Sequence, residues 1–289
     1  MKKILVHAHI YYSDMWHQIE NCVRNIKDGY DLYVTTTDTD KTLINSIKSS
    51  FPEAVITCVE NRGYDIAPFL DTLNRVDLSK YSFIVKIHTK RDMEAGFTLN
   101  GLPLPGARWR EKLLSFISTR DAFMKALAYL RTHSHVGMLT DRDLIFDVDQ
   151  IRHLDTAAYE EQKKYITAQE WIYKPYCFVA GTMFIARAKC FVKLQGRLSF
   201  SDFPSADNDH TSQLAHAIER ILGFLVYNNG YIIDFVGSRK SHLTERLGGR
   251  FIRFHVHAIR RFFYQKKLTK RGRIIVKIVK IPILSKKIK

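Results

Sequence analysis

Cysteine is scarce in this 289-residue chain, and Cys22, Cys58, Cys177 and Cys190 form no Cys-x-x-Cys pair and no framework spacing. That argues against a disulfide scaffold and a structural zinc site, and fits a reducing cytosol. Also missing is any run of about 18 uninterrupted apolar residues, so no helix is expected to span a membrane. The start "MKKILVHAHIYY" is interrupted by His7 and His9 and followed by no small-residue cleavage site, so it reads as a first strand and not a signal peptide. No internal repeat or low-complexity linker is found. Acidic residues are absent from one region: Arg250 to Lys289 holds fourteen Lys or Arg and no Asp or Glu. Taking those from the 45 basic residues leaves 31 against 29 acidic ones, so the body is nearly neutral and the tail carries the charge.

What is present is an alternation of strand and helix patterns. "KKILVHAHI", "DLYVTTT", "AVITCVE" and "YSFIVKIHT" are apolar runs rich in β-branched residues, and helical patterns cover Met15 to Ile26, Lys41 to Ser49 and Ile66 to Leu73 between them. Such alternation predicts a mostly parallel sheet flanked by helices. Further on, "RDMEAGFTLNGLPLPGARW" reads as loop and "REKLLSFISTRDAFMKALAYLRTH" as helix. "HVGMLT" reads as a strand and Val148 to Trp171 as a polar helical insert. "YCFVAGTMFIAR" reads as one strand containing a glycine, and "HTSQLAHAIERILGFLVYNNG" as a helix closed by a Gly. The simplest division is a catalytic-type domain over 1–249 and a basic extension over 250–289.

Ligands of open α/β sheets bind beyond the carboxyl ends of the strands. That rule selects His9 to Tyr12 (with Tyr11), Thr35 to Asp38, Asn61 to Asp65 and His88 to Arg91. Lys86, His88 and Lys90 alternate at one strand end and so share a face, which suits a diphosphate; a solvated edge strand is the plainer alternative. The loop "NRGYD", with Arg62, Gly63 and Asp65, is better suited to gripping a ligand than to an ordinary turn, its Gly63 letting the backbone approach. Two Asp-x-Asp matches occur, Asp38/Asp40, read as a loop and helix cap, and Asp141/Asp143, the better candidates for Mg²⁺ or Mn²⁺. No cofactor is otherwise expected. Asp209 precedes a helix, where it either serves as a general base or caps the helix; Asp207 is its neighbour. Glu219, with Arg220 and His216, reads by default as a buried structural pair. The paired histidines 7/9, 133/135 and 255/257 lack a converging third ligand for a metal.

With "VHAHIYY", "YDLYVTT", "NRGYDIAPFL", "VKIHTKRD", "WREKLL", "VAGTMFIAR" and "AHAIERILG" in this order, the chain resembles the rhamnan synthesis F family of bacterial glycosyltransferases over most of Met1 to Gly237. The resemblance implies a GT-A-like nucleotide-binding sheet and a cytosolic, inverting transferase in O-antigen, capsule or cell-wall polysaccharide assembly, often using dTDP-L-rhamnose. It places Asn61, Arg62 and Asp65 in the donor site and Lys86, His88 and Lys90 at the diphosphate. The cleft toward the acceptor falls to Gly181, Thr182 and Met183, with Trp109 and Arg110 in the "WREKLL" block. It points to Asp209 as the base; Glu219 is kept beside it as a second catalytic candidate on the reading of the residues. The usual Asp-x-Asp is missing at the strand end, where "HTK" stands instead.

In the tail, Phe251, His255, Ile259, Phe262 and Phe263 recur at helical spacing among Arg253, Arg260, Arg261, Lys266 and Lys267. That predicts a basic amphipathic helix on the anionic inner face of a membrane, close to a lipid-linked oligosaccharide acceptor. The rival readings are a nucleic-acid-binding tail and a phosphohydrolase using Asp141 and Asp143 with a metal. A neutral body with polar residues gathered at strand ends argues against nucleic acid, and the resemblance implies a nucleotide-sugar donor.

Overall fold

The computed structural model describes residues 3–91, 97–99, 102–104, 106–205 and 211–236, and three strands within 264–287. In chain order the first unit contains β1 (Lys3–Ile10), α1 (Trp16–Arg24), β2 (Tyr30–Thr36), α2 (Lys41–Ser50), β3 (Val55–Cys58), α3 (Ile66–Arg75) and β4 (Tyr81–His88). There follow β5 (Phe97–Leu99), β6 (Leu102–Leu104), α4 (Gly106–Leu113), α5 (Arg120–Thr132), β7 (Val136–Leu139), β8 (Ile145–Asp147) and α6 (Thr156–Ala168). The unit ends with β9 (Cys177–Val179), β10 (Phe184–Arg187), α7 (Thr211–Asn228) and β11 (Ile232–Asp234).

Seven strands form one sheet in the order β11-β7-β10-β4-β1-β2-β3, all in one direction except β10, which is antiparallel to both neighbours. The centre is covered on both faces, so Ile4 to Ile10 in β1 and Phe83 to His88 in β4 are buried without alternation. Helix α1 buries Trp16, Ile19, Cys22 and Val23, a three-to-four-residue spacing that gives it one apolar stripe. The chain begins at β1, steps outward through β2 to β3, then returns to the other side of β1 as β4. Strand order therefore reverses between β1 and β4, and such a switch point opens a crevice at the carboxyl ends.

Three expectations are corrected here. The "YCFVAGTMFIAR" run is two strands, because the backbone turns left-handed at Gly181 and Thr182: β9 pairs with β8 in a separate ribbon, while β10 enters the main sheet. The edge strand β11 was not foreseen at all. The third concerns the tail. The chain divides into two compact units, Met1–Val236 and Gly237–Lys289. In the second, β12 (Tyr264–Leu268), β13 (Arg273–Ile278) and β14 (Ile281–Lys287) form an antiparallel sheet in place of the expected helix. The β-branched run Ile274, Ile275, Val276 and Ile278 favours strand over helix. Residues 251–263, which carry most of the helical spacing, lie outside the described residues.

Candidate active site at the carboxyl edge of the sheet

Asp65 is the hub. It occupies the N-cap position of α3, yet its side chain caps nothing. The carboxylate Oδ2 instead accepts from the Lys86 ammonium and the Thr182 hydroxyl. Lys86 lies in mid-sheet, beside His7 on β1 and Phe184 on β10, with no exposed side-chain surface. A lysine there must satisfy three donors without water. It does so with Asp65, with Thr182 Oγ1 at 2.9 Å and with the Thr182 carbonyl at 3.2 Å.

Two left-handed backbone turns converge on this carboxylate. Gly63 and Tyr64 have φ of 55° and 54°, and Gly181 and Thr182 have 80° and 53°. For a bulky or β-branched residue that region is an outlier, held only when its surroundings over-determine it. Thr182 is held by its hydroxyl and carbonyl, both bound in the Lys86–Asp65 cluster. Tyr64 is held by the Gly63 carbonyl, which accepts from Ile66 and Ala67 at the start of α3. The space at Gly63 belongs to the protein, because an added Cβ would lie 2.5 Å from Phe203 and 2.7 Å from Ala67. Its freedom serves packing, which replaces the expected approach of backbone to ligand. Gly181 likewise abuts α4, where a Cβ would meet Leu113 at 2.5 Å and Trp109 at 3.1 Å.

The electrostatics follow from burial and pairing. Burial alone would raise the Asp65 carboxyl, but the Lys86 ammonium, with His88 and the Thr182 hydroxyl, holds it well below the usual carboxylate range. Burial lowers Lys86 from the ordinary lysine value, and Asp65 opposes the drop. Burial also pushes His88 down to about 3 and His9 to about 4, so both rings are neutral at pH 7. His88 Nε2 lies 3.1 Å from the Gly181 carbonyl, which makes it the protonated nitrogen and the donor. His9 shares a 3.0 Å hydrogen bond with the buried Thr35 hydroxyl. Thus the three-cation face takes a different form. Lys86 is sealed against Asp65, His88 is neutral, and Lys90 stands exposed past the strand end.

Glu219, on α7, approaches the same turn. Its Oε1 accepts from the Gly181 N–H at 2.7 Å, a donor that the left-handed turn leaves without a backbone partner. Burial raises this carboxyl above its ordinary value, with the Gly181 hydrogen bond opposing. The residue is only half-buried, and among the described residues its second oxygen meets no protein donor. The expected pair with Arg220 and His216 is corrected: those two, four residues apart on one helix face, turn to Asp155, at 3.7 and 3.0 Å. Asp207 and Asp209 lie outside the described residues.

The remaining expected residues are distributed around this centre. Arg62 donates to Glu60 at 2.6 Å and to the Phe203 carbonyl at 3.1 Å, and Asn61 beside it is half-buried. Tyr11 is exposed, but its N–H and that of Tyr12 donate to the Thr89 hydroxyl at 3.0 Å, tying the β1 exit to β4. Trp109 is buried against Gly181 and Arg110 is half-buried. Met183 is wholly buried, with its carbonyl accepting from Thr140, and presents no surface to a cleft. Asp141 and Asp143 do not suit a metal. Lys112 sits 3.5 and 2.6 Å from their carboxylates, so a protein cation fills the position, and Asp141 also caps the Asp143 N–H. Among the described residues no three His, Cys, Asp or Glu side chains converge. Sequence reasoning missed Lys112 and the Thr182 hydroxyl as a ligand of Asp65, and neither has a local signature; Thr89 fell within the selected segment His88 to Arg91, but without its role in tying the two strand exits.

Fold and site together define an open-sheet α/β protein whose charged cluster lies at the strand-order reversal. The chain belongs to the rhamnan synthesis protein F family, matched over residues 1–231. Relatives include the uncharacterized protein WxcX of Xanthomonas campestris pv. campestris, 27% identical in strain B100 and 26% in strain ATCC 33913 over 238 residues. Each match covers 79% of this chain and 32% of the relative, so the chain spans about a third of their length. A solved structure of S. aureus TarS 1-349 overlays 81% of this chain and 58% of its own with a TM-score of 0.39 and 11% identity. Among the described residues no helix is long and apolar enough to cross a membrane.

Proposed function

We propose that this chain is an inverting glycosyltransferase that moves a sugar from a nucleoside diphosphate donor to a saccharide acceptor during polysaccharide assembly. The observation that carries the reading is Glu219. A half-open carboxylate, fixed by one backbone N–H and given a raised proton affinity by burial, borders the crevice where an open sheet binds its ligand. In the step proposed, Glu219 takes the proton of the acceptor hydroxyl as its oxygen bonds to the anomeric carbon. The bond from that carbon to the phosphate oxygen breaks, and the nucleoside diphosphate leaves with the electron pair. Lys90, exposed beside the crevice, is the cation proposed for the departing diphosphate, with Arg62 and Asn61 at the donor. Lys86 acts at one remove, by holding Asp65 and Thr182 and through them the turn that positions Glu219. Asp209 is the second proposed proton acceptor. The family name makes dTDP-L-rhamnose the first donor to try, and a lipid-linked oligosaccharide at the inner membrane face the first acceptor.

The test is a thermal-shift panel of nucleoside diphosphates and nucleotide sugars, with and without Mn²⁺, followed by transfer assays on Glu219→Gln and Asp209→Asn. Ligands of the native state raise the midpoint, so a selective shift names the base and the metal requirement. Glu219→Gln is expected to keep the shift and lose turnover, because the lost group acts in the transition state. Full turnover in Glu219→Gln with loss in Asp209→Asn moves the base to Asp209. No shift with any nucleotide overturns the donor reading, and hydrolysis in place of transfer favours a phosphohydrolase.

A further inference from the structure

Tyr64 is a residue of the "NRGYD" loop that the cluster does not use. It sits between Gly63 and Asp65, both fully engaged, yet 49% of it is exposed. Its φ of 54° is a conformation that Gly or Asn adopts at less cost, so a turn alone does not call for tyrosine. The ring lies nearly parallel to that of His216 and offset from it, with centroids 6.1 Å apart and planes within 18°. His216 is itself anchored, its Nδ1 3.0 Å from Asp155 Oδ2, and its side chain keeps 45% of its surface exposed. Three residues further along α7 comes Glu219, so the His216 ring under Tyr64 and a carboxylate oxygen that meets no donor among the described residues share one face of the helix.

We propose that Tyr64 and His216 form a saccharide-binding shelf, on which the acceptor sugar lies with a hydroxyl presented to Glu219. A pyranose has one face of C–H groups and a rim of hydroxyls. Exposed aromatic faces bury the first, and a carboxylate accepts from the second. The strained backbone at Tyr64 fits this assignment: the same turn that delivers Asp65 to Lys86 lifts the adjacent ring out to the solvent side.

The inference rests on the glycosyl-transfer reading for the identity of the sugar as acceptor, but its test is independent of turnover. Saturation-transfer NMR on the full chain, with methyl α-L-rhamnopyranoside and methyl β-D-glucopyranoside as probes, measures binding directly. Tyr64→Ala is expected to weaken binding about tenfold, the scale of losing one aromatic stack, and Tyr64→Phe to bind as wild type does. Nucleoside diphosphate thermal shifts should be unchanged in both variants, which also shows that they fold. Equal binding by wild type and Tyr64→Ala overturns the shelf, as does failure of the wild type to bind either glycoside while it still responds to nucleotides. Glycoside binding that depends on Tyr64, in a chain that ignores every nucleotide, supports the shelf and sinks the transferase reading.

Discussion

Asp65→Asn should be among the most damaging single changes in the domain, although it removes only one charge and keeps the shape. Lys86 has no exposed surface, and Asp65 is the carboxylate that compensates its charge. Breaking a buried ion pair from one side costs roughly 3–5 kcal/mol, because the remaining ion stays buried and unpaired. The Thr182 hydroxyl loses its acceptor at the same time, which removes part of what holds that residue at φ 53°. For a unit of about this size, 1 kcal/mol moves the melting midpoint by about 2–4 °C, so the expected fall is on the order of 6–20 °C. A second signature separates this cause from a generic packing defect. Without Asp65, burial lowers the Lys86 pKa further below its unfolded value, so the unfolded chain binds the extra proton and stability rises with pH. The variant should therefore recover between pH 6 and 9 more steeply than the wild type. Combining Asp65→Asn with Lys86→Met should cost less than the sum of the single changes, because the stranded charge is gone. Urea titrations of the four proteins at several pH values provide the measurement. A loss below about 1 kcal/mol, or singles that add in the double variant, would refute the pair as the keystone of the site.

Two further predictions follow from charge. The buried histidines should make the fold acid-sensitive: His7 is held well below its ordinary value, His9 at about 4 and His88 at about 3, so below about pH 6.5 the unfolded chain takes up protons that the folded one refuses. Stability is thus fully present above that value and should fall by several kcal/mol toward pH 4, with Glu219 opposing weakly; a flat urea midpoint from pH 7 to 5 would contradict it. Deleting Arg250–Lys289 should release the protein from anionic vesicles and leave transfer to a soluble acceptor largely intact, since each Lys or Arg near such a surface contributes about 1 kcal/mol. Co-sedimentation of the truncated chain, or tight DNA binding by a full-length chain that ignores vesicles, would assign the tail another partner.

The sheet was legible because its runs are apolar on both faces and β-branched, a pattern that local sequence states directly. The reversal at Gly181 was not, because a glycine inside an apolar run reads equally as a weak spot in one strand or a break between two. The site was legible only as a set of loops. Its wiring joins Asp65 to residues 21 and 117 positions away, and no periodicity encodes such pairs. By local rules Asp65 is a helix cap, Tyr64 and Thr182 belong nowhere near a left-handed turn, Lys86 should not lie in mid-sheet, and Glu219 should pair with Arg220. Each rule fails at a residue of the same hydrogen-bonded cluster or next to it in the chain. Local preferences are broken where tertiary contacts compensate for them, and that compensation is maintained where a side chain must be held in one place. The failures of local reading are therefore themselves a map of the site, and they meet at the Gly181–Thr182 turn, where Gly181 binds Glu219 and Thr182 binds Asp65 and Lys86.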